Sequence, residues 1–157
     1  MEKKQFIKIL KSFFEKKGFV CHKQHFYFDA QNDIVYVVGI DTVPGRDYVY
    51  IEQGFCFKSA NINMPYPKFD HINILSDNRL RSSLGSTFRY VEYDEEIMNK
   101  ILNEIEPSID KAIDCSQSVD KLIKEYVLNG KSLINGIKTL EYLGIEKGDL
   151  KVTPGNV

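Results

Sequence analysis

The recognition chemistry in this 157-residue chain concentrates in two stretches, Tyr48, Tyr50 and Glu52 in the first and Arg79 and Arg81 in the second. In an extended segment every second side chain points the same way, so Tyr48, Tyr50 and Glu52 share one face of a strand. Tyrosine and arginine pair a broad contact area with polar contacts, which is why binding hot spots are rich in both. The two guanidiniums can form forked contacts with carboxylates. Each reading has a plainer rival: a helix laid over the strand face would make the tyrosines core residues, and the arginines could pair with acidic helices of the same chain.

Other reactive groups point to less. Cys21, His22 and His25 supply three metal-ligand types within five residues. In an extended chain positions 22 and 25 face opposite ways, and no second Cys/His pair completes a tetrahedral set, so no metal is expected. Asp29 and Asp33 resemble the start of a calcium loop, but the sixth position is Ile34, where glycine is needed, and the twelfth is Ile40, where a carboxylate is needed. A hairpin turn is the better reading. No nucleophile elbow, phosphate loop, zinc-protease helix motif or dinucleotide fingerprint occurs. Asp41, Glu52, Asp70 and His71 remain as acid/base candidates of the kind any protein carries. A non-enzymatic role without a cofactor is therefore expected.

The elements that must position these residues follow from composition and period. Apolar residues make up 43% and charged residues 27% of the chain, a balance that supports a buried core. The net charge of −1 supplies no overall field for nucleic acid or anionic lipid. Charge is nonetheless uneven: residues 1–23 hold seven lysines against Glu2 and Glu15, and residues 92–125 hold ten carboxylates against four lysines. The amino-terminal lysines alternate with an apolar stripe and read as a solvated helix face. Cys21, Cys56 and Cys115 are widely spaced, so reduced thiols in a cytoplasmic protein are expected. There is no run of eighteen apolar residues to span a bilayer and no signal-peptide pattern.

From Glu2 to Lys17, Phe6, Ile9, Leu10, Phe13 and Phe14 recur at helical spacing, and Gly18-Phe19 is a stop signal. His25 to Asp29, Ile34 to Asp41 and Tyr48 to Lys58 are β-branched and aromatic, separated by Gln31-Asn32-Asp33 and by Val43-Pro44-Gly45-Arg46, a type II turn. They predict a three-strand antiparallel meander, with cover on both faces of the middle strand. Asn61 to Phe69, with Pro65 and Pro67, reads as an ordered loop. His71 to Leu75 and Thr87 to Glu92 read as two shorter strands around a polar Ser76 to Ser86 stretch. Asp94 caps a helix that Pro107 should interrupt, with a short second helix over 107–114. Ser118 caps a third, Ser132 a fourth using Leu133, Ile137 and Leu140, and Gly144-Ile145 repeats the stop signal. The expected fold is α+β: a mostly antiparallel sheet of four or five strands flanked by an amino-terminal helix and a carboxy-terminal helical segment. Residues 1–145 form one domain, and 146–157 a frayed tail.

The order of an opening helix ending in Gly18-Phe19, an aromatic meander, Arg79-Leu80-Arg81 with Leu84-Gly85, and Ile105-Glu106-Pro107-Ser108-Ile109-Asp110 resembles the uncharacterised bacterial domain-of-unknown-function family 4304. The resemblance covers residues 2 to 128. It implies a bacterial intracellular protein and brings no established activity or site residue. Some small bacterial α+β proteins of this look neutralise toxins, an analogy at the level of fold. The expected function is binding of another protein through Tyr48, Tyr50, Glu52, Arg79 and Arg81, with no membrane or nucleic acid involved. The alternative is a small-molecule-binding protein or enzyme with a pocket on the sheet face. A deep pocket with convergent polar groups would favour the alternative, and a broad aromatic and charged surface would favour a protein partner.

Overall fold

The computed structural model describes residues 1–67, 72–76, 79–128, 132–134 and 137–146, with the backbone alone described at 75, 76, 132–134, 137 and 138. Asp70, His71, Asn78 and the tail from 147 onward lie outside the described residues.

Helix α1 (Lys3–Lys16) buries Phe6, Leu10 and Phe14 on one stripe. Gly18 ends it at φ 91°, and the Phe19 amide donates to the Phe14 carbonyl at 3.1 Å, closing the turn while the Phe19 ring meets Phe14 edge-on at 5.0 Å. Strands β1 (Val20–His22), β2 (His25–Asp29), β3 (Ile34–Thr42) and β4 (Val49–Phe57) follow as an antiparallel meander. The β3–β4 connection is the expected turn: the Arg46 amide donates to the Val43 carbonyl at 3.1 Å, with Gly45 at φ 71°. Strand β5 (Ile74–Ser76) pairs with β4, and β6 (Ser132–Ile134) with β5, so strand order follows chain order in a six-stranded antiparallel sheet. Three of these strands are three residues long.

One sheet face carries Ile34, Tyr36, Val38 and Ile40 from β3 and Val49, Ile51, Phe55 and Phe57 from β4, and packs on α1 and on α2 (Glu95–Ser116) in a single cluster. Gln53 falls on this face by alternation. It is buried and accepts a hydrogen bond from the Tyr36 hydroxyl at 2.7 Å, which relieves the cost of burying both. The opposite face holds a smaller cluster of Tyr27, Val37, Cys56 and Ile72, so β3 is covered on both sides as its sequence predicts. Gly54 permits the approach of β5: a Cβ there would lie 2.7 Å from both Ile72 Cγ2 and the Ile74 carbonyl oxygen.

Several local expectations are corrected. Thr87–Glu92 is not a strand: Phe88 pairs with Val49 at an isolated bridge, and Tyr90–Glu92 form one 3₁₀ turn. The turn sets Tyr90 and Tyr93 on one side, with ring centroids 5.8 and 6.2 Å from Phe6, an arrangement that strand alternation would forbid. Pro107 does not split the acidic helix. Helix α2 runs through it for 22 residues, capped by Asp94, whose carboxylate accepts from the Ile97 amide at 2.8 Å. Met98, Ile101, Ile105, Ile109 and Ala112 form one buried stripe across the proline, and that burial outweighs the lost backbone bond. Ser118 caps α3 (Val119–Leu122) as expected, and the chain continues into a wider π turn over Ile123–Val127. Ser132 caps no helix. It begins β6, through backbone pairing with β5 at Ser76, and α4 spans Ile137–Leu143. Gly144 then repeats the stop of α1, at φ 67°, with the Ile145 amide donating to the Leu140 carbonyl at 3.0 Å. No helix among the described residues is long and apolar enough to cross a membrane.

Candidate functional site

The face opposite the helices divides along β4. Towards Cys56 it is covered by Ile72 and by the segment 58–67. Towards Tyr48 it stays open: Tyr48 and Tyr50 are half-exposed, and among the described residues their rings meet each other and two arginines. The two rings meet edge-on with centroids 5.6 Å apart and planes at 73°.

Two chain segments dock beside this end of β4. The Leu80 amide donates to the Ile51 carbonyl at 2.9 Å, and Val49 and Phe88 exchange backbone bonds at 3.1 and 2.9 Å. Leu80 and Phe88 are buried in the core, so the arginines that flank them turn to the other side. The Arg79 guanidinium lies 3.7 Å over the Tyr50 ring, and its Nε and one terminal nitrogen each stand 3.3 Å from Glu52 Oε1. Tyr50, Glu52 and Arg79 are thus one assembly. The Arg89 guanidinium stands 5.8 Å from the centre of the Tyr48 ring. Arg81 is exposed and has no ion pair among the described residues. The rival role for the arginines is overturned for Arg79, whose carboxylate partner is Glu52 on β4 and not a helical acid, because Leu80 ties its segment to the strand. Lys17, from the end of α1, does reach α2, 2.7 Å from Glu106 and 2.8 Å from Asp110. Burial opposes its charge, but these two carboxylates outweigh burial and raise its pKa.

Arg46 and Arg89 are members of this end that the reading of the sequence missed. A signal was available: all four arginines fall between positions 46 and 89, whereas the 17 lysines are spread along the chain. Of the acid/base candidates, Glu52 is committed to Arg79 and Asp41 sits exposed at the register position opposite Tyr50. Asp70 and His71 lie outside the described residues.

His22 and His25 correct the argument from extended geometry. Lys23, at φ 56°, reverses the chain after His22, so the two histidines become direct partners across the β1–β2 hairpin and share a face. His22 stacks on Tyr66 at 4.2 Å with planes within 4°. Cys21 packs with the helix-side core, away from them. Among the described residues no three His, Cys, Asp or Glu side chains gather to hold a metal. Asp29 pairs with Lys58 at 2.8 Å, and Asp33 accepts from the Ser59 amide and hydroxyl and from Tyr142 of α4.

Between the second face and segment 58–67 lies a cleft of about 420 Å³, walled mainly by Val20, Tyr27, Val35, Cys56, Met64 and Tyr66. Burial pushes the Tyr27 hydroxyl and the Cys56 thiol each up to about 12, so both are neutral at physiological pH. Neither is a ready nucleophile or base. Comparison of this chain with protein-family models, with curated proteins and with solved structures finds no match in any of the three.

Proposed function

We propose that this protein is a non-enzymatic binding module that engages another protein through Tyr48, Tyr50, Glu52, Arg79 and Arg81. The observation that carries the reading is the Arg79 guanidinium held 3.7 Å over the Tyr50 ring and tied to Glu52. A tyrosine and an arginine fixed in this way lose little conformational freedom on contact, which lowers the cost of association. Arg81 and Arg89 extend the surface with guanidiniums that can meet carboxylates or backbone carbonyls of a partner. Glu52, two residues along β4 from Tyr50, is already bonded to Arg79, which supports contact over acid/base catalysis. The resemblance to domain-of-unknown-function family 4304 supports placing the module in the bacterial cytoplasm, where neutralising a protein toxin is one role such a contact would serve.

The test compares tagged wild-type, Tyr50→Ala and Lys8→Ala proteins as baits in extract of the native host, followed by affinity measurement on the captured partner. Tyr50→Ala should weaken binding by about 2 kcal/mol, roughly 30-fold, as a central anchor does. Lys8→Ala, on the exposed side of α1, should bind as wild type. A large fall in thermal midpoint for Tyr50→Ala, with unchanged affinity of the folded fraction, would overturn the proposal.

A further inference from the structure

The cleft beside segment 58–67 has a chemistry of its own. Its volume of about 420 Å³ sits at the lower end of the roughly 300–1,000 Å³ that small-molecule sites occupy. Its walls include the Tyr27 and Tyr66 rings, a thioether and branched aliphatic groups. The polar side chains of Tyr27, Asp29 and Asn61 that reach it are already engaged by the protein. The Tyr27 hydroxyl donates to the Pro67 carbonyl at 3.1 Å, and Asp29 accepts from Lys58 and from the Gln31 amide, both at 2.8 Å. The Asn61 side-chain Nδ2 donates to the Phe57 carbonyl at 2.9 Å and reaches the Asn73 side-chain oxygen at 3.3 Å. A charged or strongly polar occupant would compete with these bonds, and losing one is costly, whereas an apolar body leaves them in place. Three apolar residues of the lining stand in water: Val20 is 55% exposed, Tyr66 40% and Ile62 84%. An apolar occupant would cover surface that is otherwise hydrated.

We propose that this cleft binds a small uncharged molecule with an aromatic or alkyl body, held by apolar contact with Tyr27, Val35, Met64 and Tyr66. This site is independent of the protein-binding reading, because Tyr48, Tyr50 and Arg79 form no part of its lining. The Cys56 thiol at its floor is neutral, so the contact is non-covalent.

The probe is N-phenyl-1-naphthylamine, an uncharged fluorophore that brightens in apolar surroundings, titrated into the full chain beside its anionic relative 1-anilinonaphthalene-8-sulfonate. Wild type should show saturable binding of one equivalent of the neutral probe and at least about tenfold weaker binding of the anion. Val35→Trp fills the cleft from β3 and should weaken neutral-probe binding about tenfold or more, a loss of at least about 1.4 kcal/mol. Tyr66→Ala removes a wall from a surface segment, keeps the test meaningful if the strand variant folds poorly, and should also weaken binding. Tyr50→Ala should bind the probe as wild type does, which separates this site from the protein-binding surface. Absence of saturable binding, equal binding of the anion, or unchanged affinity in both cleft variants would overturn the proposal.

Discussion

Replacing Arg79 by alanine removes two contacts together: the guanidinium 3.7 Å over Tyr50 and the paired N–H groups 3.3 Å from Glu52 Oε1. The Arg79 and Glu52 side chains are 41% and 24% exposed, so water screens their attraction. A pair of this kind contributes about 0.2–1 kcal/mol, and a cation–π contact open to solvent about 0.5–1 kcal/mol. The expected loss is therefore about 1–2 kcal/mol, and at about 2–4 °C per kcal/mol for a chain of this size the thermal midpoint should fall by about 2–8 °C. A calorimetric double-mutant cycle with Glu52→Gln should return a coupling energy of about 0.5–1 kcal/mol, the double variant losing less than the sum of the singles. Arg79→Lys should recover little, since the ammonium lacks the planar fork that both stacks and bonds. A contact surface is separable from the fold. A midpoint loss above about 15 °C would make Arg79 a structural residue, and a coupling energy of zero would mean that the assembly is not maintained in solution; either result would rule out a preformed contact surface at Tyr50, Glu52 and Arg79.

Three further outcomes follow from the packing. Burial alone would raise the Asp33 carboxyl, but bonds from Tyr142 and Ser59 outweigh it and hold the pKa below its ordinary value. Such a group adds stability that is fully present above its unfolded value near pH 4 and is lost as pH falls through the lower folded value. Asp33→Asn should thus destabilise at neutral pH, by a margin in denaturant titrations that shrinks as pH drops below about 4; a margin independent of pH would contradict this. Pro107 is exposed inside α2, so Pro107→Ala should gain about 3 kcal/mol of helix preference less about 1 kcal/mol of unfolded-chain entropy. A lower thermal midpoint in that variant would show that the proline is favoured where it stands. Gly54→Ala should lose about 1–3 kcal/mol by overpacking, since its Cβ would meet Ile72 and Ile74 at 2.7 Å, and an unchanged denaturant midpoint would mean that β5 yields freely.

What could be read from the chain was local. The Gly18-Phe19 stop, the Pro44-Gly45 turn and the Asp94 and Ser118 caps each depend on residues within five positions, and each forms as its chemistry requires. What could not be read depends on partners far away. Strand β6 has three residues, too few for a period, and exists through pairing with β5. Tyr90 and Tyr93 take their turn because Phe6, some 85 positions earlier, waits on their side. Pro107 has every local mark of a break, yet a buried stripe spanning both sides carries the helix through. At the candidate site, alternation placed Tyr48, Tyr50 and Glu52 together, whereas the docking of Arg79 and Arg89 on them needs the Leu80 and Phe88 bonds to the edge of β4.

Because strand order follows chain order, the meander through β4 is complete in sequence at residue 57, while the helix that covers much of its apolar face ends at residue 116. At cellular synthesis rates of about 5–20 residues per second, that gap lasts roughly 3–12 s. During it, Tyr36, Val38, Ile51 and Phe55 have only α1 for shelter, and the outer edge of β4 has no β5 to pair with. Unpaired edges beside bare apolar faces are what nascent chains aggregate through and what chaperones hold. The in-order sheet therefore makes the ribosome-bound intermediate the vulnerable form of this protein, and substitutions that slow the arrival of α2 should lower its soluble yield in the cell more than its equilibrium stability would suggest.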